Sequence, residues 1–118
     1  MATALVALLL GVSRPPAAYL DTGSGRVPLA ISSWCWGSRC GAPISASTRV
    51  AVVARGATLR AQLAFTPTRA RVAVAGSPVA VATHGGELSW RATRSGGLSL
   101  NVTGPRGWVT YVGRVRVR

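Results

Sequence analysis

Proton transfer and nucleophilic attack need carboxylates, imidazoles or activated thiols held close together. This 118-residue chain has few of them: two acidic residues and one histidine, against fourteen basic residues that are all arginine. Asp21 precedes a Gly/Ser-rich stretch, and His84 and Glu87 flank Gly85-Gly86. An imidazole and a carboxylate on one turn suit a metal or a general base, but a lone histidine on a glycine turn ordinarily faces solvent and does no chemistry. The sequence has no phosphate-binding loop, no paired carboxylates and no serine, histidine and aspartate in a plausible arrangement. The expectation is a chain with no catalytic residues, no cofactor and no metal.

The two cysteines offer different chemistry. Ser33-Trp34-Cys35-Trp36-Gly37-Ser38-Arg39-Cys40-Gly41-Ala42-Pro43 reads as a small loop closed by a Cys35–Cys40 disulfide, the pairing expected of an exported protein. Free thiols and a metal site with His84 are the alternatives, although four residues between the cysteines is not the two-residue spacing of zinc knuckles. Trp34 and Trp36 lie two apart, so in extended chain their rings point to one side. Exposed, they form a stacking platform for sugar rings or bases with Arg39 beside it; buried, they cap a core. Asn101-Val102-Thr103 matches the glycosylation triplet but falls inside an expected strand.

The run Trp34-Cys35-Trp36…Cys40, just after a Val-Pro-Leu strand, resembles a motif of small exported bacterial proteins of unknown function. In these an aromatic-Cys-Trp stretch and a second cysteine precede an immunoglobulin-like sandwich. The likeness covers about ten residues and the strand layout of 26–118, and it departs at Gly41-Ala42-Pro43, where those proteins place an acidic residue. The resemblance implies an extracytoplasmic location and a non-catalytic role, and it names no ligand.

Those residues must be positioned by strands. From Arg26 onward apolar residues recur with period two, as in half-buried strands. The apolar parities are Val27/Leu29/Ile31, Val50/Val52, Leu59/Ala61/Leu63/Phe65, Val72/Val74, Val79/Val81, Leu88/Trp90/Ala92, Leu98/Leu100/Val102 and Val109/Tyr111/Val115/Val117. Gly and Pro punctuate the intervals, for example at Gly76-Ser77-Pro78 and Gly104-Pro105-Arg106-Gly107, where they preset turn geometry. Seven or eight short antiparallel strands with frequent turns predict an all-β, immunoglobulin-like sandwich over 26–118, with a small barrel as the competitor. Trp90 belongs to its core.

Ahead of it, Ala4–Val12 is an apolar run too short to cross a bilayer. It has the length of a signal-peptide core, so residues 1–18 read as a signal-like segment, with Ala17-Ala18 near the cleavage position, and 19–25 as a linker. No positive charge precedes the run, and a short buried helix or strand of the domain is the other reading.

A net charge of +12 attracts polyanions: nucleic acid, acidic lipid headgroups or anionic envelope polymers. An arginine excess without lysine is also what a GC-rich genome produces, and most arginines take the polar parity, where solvation alone accounts for them. Arg114, Arg116 and Arg118 form a row with a spacing of about 7 Å, suited either to tracking a repeating polyanion or to guarding an edge strand against aggregation. The leading expectation is a secreted or envelope-associated β-sandwich without catalysis. Its contacts would be an anionic envelope polymer or envelope protein, bound through Trp34, Trp36, Arg39, Arg114, Arg116 and Arg118. The alternative is a nucleic-acid-binding basic β protein.

Overall fold

The computed structural model describes residues 14–46 and 49–118. The apolar run 4–12, read as part of an export signal, lies outside them. Within the described residues the chain is all β. Its strands are β1 (Tyr19–Asp21), β2 (Arg26–Pro28), β3 (Ala30–Trp36), β4 (Arg39–Gly41), β5 (Ala51–Val53) and β6 (Thr58–Gln62), followed by β7 (Arg69–Val74), β8 (Ser77–Val79), β9 (Ala82–His84), β10 (Glu87–Arg91), β11 (Gly96–Gly104) and β12 (Gly107–Val117). No described helix is long and apolar enough to cross a membrane.

The strands form two sheets. One runs β2-β1-β6-β10-β9; the other runs β4-β3-β12-β11-β7-β8, with β5 also pairing β12. Pairing is antiparallel except between β5 and β12. There are more segments than the seven or eight expected, partly because one stretch of chain serves both sheets. β2 edges the first sheet, Leu29 makes the corner with its N–H donating to the Ala18 carbonyl (3.0 Å), and β3 continues in the second sheet.

The expected linker 19–25 is instead a hairpin. β1 pairs β2 on one side and β6 on the other, and Leu20 is buried. Asp21 Oδ1 accepts from the Gly23 N–H (2.9 Å), an Asx turn that starts the reversal. The sandwich also draws on residues before β1. Ala18 is fully buried, and the buried Tyr111 hydroxyl donates to the Pro16 carbonyl at 2.6 Å.

The core between the sheets follows the expected alternation at Leu59/Ala61, Val72/Val74, Leu88/Trp90/Ala92, Leu98/Leu100/Val102 and Val109/Tyr111/Val115, all buried. Among the described residues no polar or charged residue is buried, so every arginine there reaches solvent. One parity is reversed: in β5, Ala51 and Val53 face inward while Val50 and Val52 are exposed. Four consecutive apolar residues define no face by themselves; here the pairing with β12 (Val115↔Ala51, Val117↔Val53) decides.

β3 contains the feature that sets the site. Opposite β12 its register runs Thr110↔Ser33 and then Tyr111↔Ile31, leaving Ser32 unpaired as a bulge. An extra residue exchanges the faces of everything beyond it. Ile31 is buried on odd parity and Trp34 and Trp36 on even, so Cys35 lies on the opposite side, away from the core.

Candidate functional site

The disulfide loop is a two-residue hairpin. β3 and β4 pair Trp36↔Arg39, Cys35↔Cys40 and Trp34↔Gly41, with Gly37 at φ +63° as the first turn residue. Glycine at that place fits the type II′ turn, whose twist matches that of the flanking strands. The Cys35–Cys40 disulfide closes the cross-strand pair, with Cα atoms 4.0 Å apart.

The indole rings on either side of Cys35 do not form the exposed platform considered from the sequence, because the Ser32 bulge turns both inward. Trp34 lies against Gly41, where any side chain would overlap its ring, and its Nε1 donates to the Ala42 carbonyl (2.9 Å). Trp36 packs against Phe65 with ring centroids 5.1 Å apart. Both are buried and cap the core. Arg39 is exposed at a recess of about 230 Å³ that it shares with Arg14, Trp34 and Cys40, and none of the arginine row lines it.

Arg114, Arg116 and Arg118 are all exposed, but β12 is not an edge strand. β11 flanks it on one side, and β3 and β5 on the other. Edge protection therefore does not account for the row. Arg118 comes after the strand's last residue, and its N–H donates to the Val53 carbonyl (2.9 Å).

The alternation that buries Val109, Tyr111 and Val115 sends Trp108, Thr110, Val112, Arg114 and Arg116 to the outer face of the larger sheet. Trp108 is 41% exposed. It pairs with Thr103 of β11, which pairs with Arg69 of β7; one step along, Thr110 pairs with Asn101, which pairs with Arg71. On its other side Trp108 pairs with Cys35. Directly opposed side chains on one face have Cβ atoms about 5 Å apart, so two rows of neighbours gather an indole, two guanidiniums, an amide and two hydroxyls. They border a recess of about 290 Å³. The Thr110 hydroxyl donates to Asn101 Oδ1 (2.7 Å), and both residues line the recess.

Charge is segregated between the two sheets. Both acidic side chains belong to the smaller one: Asp21 caps its own turn, and Glu87 pairs with Arg60 (3.3 Å) and accepts from Gln62 Nε2 (3.0 Å). The outer face of the larger sheet carries Arg69, Arg71, Arg114 and Arg116 with no carboxylate among them. Arg69 and Arg71, like Arg114 and Arg116, branch from alternate residues about 7 Å apart along the strand, and a bound anion relieves their mutual repulsion. His84 is exposed at the far edge of the other sheet, and no group of three His, Cys, Asp or Glu able to hold a metal occurs among the described residues.

Sequence reasoning missed Trp108, Arg69 and Arg71 as a unit. The signal for Trp108 was present: once Val109 is assigned to the core, its neighbour must face solvent, and a tryptophan on the polar parity is uncommon. The union with Arg69 and Arg71 depends on strand pairing, which local periodicity does not encode. The chain matches no protein-family model, no curated protein and no solved structure.

Proposed function

We propose that this chain is a non-catalytic, extracytoplasmic β-sandwich that binds an anionic polymer of the cell envelope on the outer face of its larger sheet. The observation that carries this is the charge segregation: four arginines without a carboxylate share a face with the one strongly exposed tryptophan, while Asp21 and Glu87 are engaged on the other sheet. Guanidinium forks match carboxylate, sulfate and phosphate oxygens in bidentate fashion. The Cys35–Cys40 bond favours an oxidising compartment.

Strand order supports an immunoglobulin-like arrangement. Taking β1, β6, β7, β9, β10, β11 and β12 as A to G, one sheet runs A-B-E-D and the other G-F-C, the order of that fold. The β3–β4 hairpin is then an insertion after the first strand, and β8 extends the second sheet. The resemblance to small exported bacterial sandwich proteins carrying a Trp-Cys-Trp…Cys loop implies the same arrangement.

The test is binding of a soluble acidic polysaccharide, polygalacturonate, followed by calorimetry at two salt concentrations. Charge reversal at Arg69 and Arg71 together is expected to weaken binding at least tenfold, about 1.4 kcal/mol. Reversal of Arg26 and Arg91 together, exposed positions on the smaller sheet, makes the same change in net charge and should weaken binding far less. Equal weakening by both variants would show non-specific attraction to a basic protein and refute a defined face.

A further inference from the structure

From the shape of this face we infer that the ligand is a linear acidic polysaccharide lying lengthwise along β11 and β12, one sugar ring on Trp108 and its far end on Arg114 and Arg116; this rests on the binding face proposed above. Trp108 and Arg116 share the outer parity of one strand and are separated by eight residues, a reach of about 27 Å. The ground between them is low. Outward residues of β11 shrink along the sheet from Thr103 and Asn101 to Ser99 and Gly97, each opposed on β12 by Trp108, Thr110, Val112 and Arg114 in turn. Beyond Ser99, β7 offers only Ala73. Above Gly97 nothing lies within 4 Å of where a side chain would start.

The trough thus has a cationic, aromatic head at Arg69, Arg71 and Trp108 and a cationic tail. The tail is a second recess of about 390 Å³ where Arg114 and Arg116 meet Val50, Ser95 and Gly97. Two charge clusters separated by small residues suit a chain with acidic groups at intervals better than a compact anion, which one cluster alone would satisfy.

The single ring argues for sugar over nucleic acid. Single-stranded nucleic acids are held by bases stacked on several aromatic side chains in succession. Beyond Trp108 the outward positions of β12 are Thr110 and Val112, and Trp34, Trp36 and Trp90 are all buried. One indole beside a cluster of hydroxyl, amide and guanidinium groups matches a pyranose, which offers one apolar face and a rim of hydroxyl and carboxylate groups.

The experiment titrates the full chain with galacturonate disaccharide and hexasaccharide by calorimetry, which reads every variant, and follows tryptophan emission in the unsubstituted chain, where the exposed Trp108 answers to a ligand at the head. The hexasaccharide is expected to bind at least tenfold tighter than the disaccharide. Reversing Arg114 and Arg116 should remove that advantage and leave disaccharide affinity within twofold, while Trp108→Ala should weaken both. All these positions are exposed, so an unchanged far-UV spectrum establishes that the variants fold. If the hexasaccharide binds no tighter, or the tail reversal weakens both ligands equally, the lengthwise alignment is wrong even where polygalacturonate still binds the face. If an oligothymidylate of equal charge binds more tightly and quenches Trp108, the ligand class is wrong. Failure of every polyanion overturns this inference and the binding face together.

Discussion

Removal of residues 1–18 tests where the folded unit begins. The Pro16 carbonyl accepts the Tyr111 hydroxyl at 2.6 Å, and the Ala18 carbonyl accepts the Leu29 N–H at 3.0 Å. A chain starting at Tyr19 leaves the fully buried Tyr111 hydroxyl without its acceptor, a loss of about 1–3 kcal/mol. It releases the corner at Leu29, about 1 kcal/mol more. It also strips Pro15 and Ala18, both buried, worth about 1–2 kcal/mol of apolar burial. The sum, about 3–6 kcal/mol, is comparable to the whole stability of a small domain.

The assay is urea unfolding of chains 14–118 and 19–118, followed by tryptophan emission, each with and without Tyr111→Phe. In the longer chain Tyr111→Phe should cost about 1 kcal/mol; in the shorter it should be neutral or stabilising, because the hydroxyl it removes has no partner. Equal stabilities for the two lengths, within about 1 kcal/mol, would refute the reasoning. The expected result has a consequence for export: cleavage after Ala18, the position suggested by the small residues there, would cut into the sandwich. A signal segment would have to end before Pro15.

Two further outcomes follow from single residues. Burial pushes the Tyr111 phenol well above its ordinary range, so the folded state keeps a proton that the unfolded chain releases above pH ~10; stability should be intact below that pH and fall by about 1.4 kcal/mol per unit above it. With no lysine and no free cysteine to interfere, urea midpoints between pH 9 and 11.5 should show this decline, and Tyr111→Phe should abolish it. At the β7–β8 turn Ala75 has φ +51° and Gly76 +80°, both left-handed as in a type I′ hairpin, where Asn-Gly is favoured; Ala75→Asn should raise stability by about 0.5–1 kcal/mol, measured as a higher urea midpoint.

How far the sequence foretold this molecule depended on whether its information was local. Leu98, Leu100 and Val102, like Leu59 and Ala61, announce their strands because a period of two along a single segment is enough to bury one face. The sheets themselves were not legible: that β12 is interior, and so carries its arginines on a broad face instead of an edge, is a fact about its partners β3, β5 and β11. Val50 and Val52 read as inward from the sequence for the same reason. Within a run of small apolar residues only the pairing with Val115 and Val117 selects Ala51 and Val53.

The Trp-Cys-Trp stretch shows how much turns on one unpaired serine. Read at constant parity from Ile31, Cys35 would enter the core and both indoles would face solvent. The bulge at Ser32 reverses this: the rings become a cap over the core, and the disulfide comes to the surface as the register neighbour of Trp108. A motif that looks like an aromatic binding platform thereby acts as support. By cross-linking β3 to β4, it stiffens the strand on one flank of Trp108 while β11 holds the other. The ring that remains available is the one whose neighbours are arginine, asparagine and threonine, and that neighbourhood, more than the tryptophan count, locates the binding face.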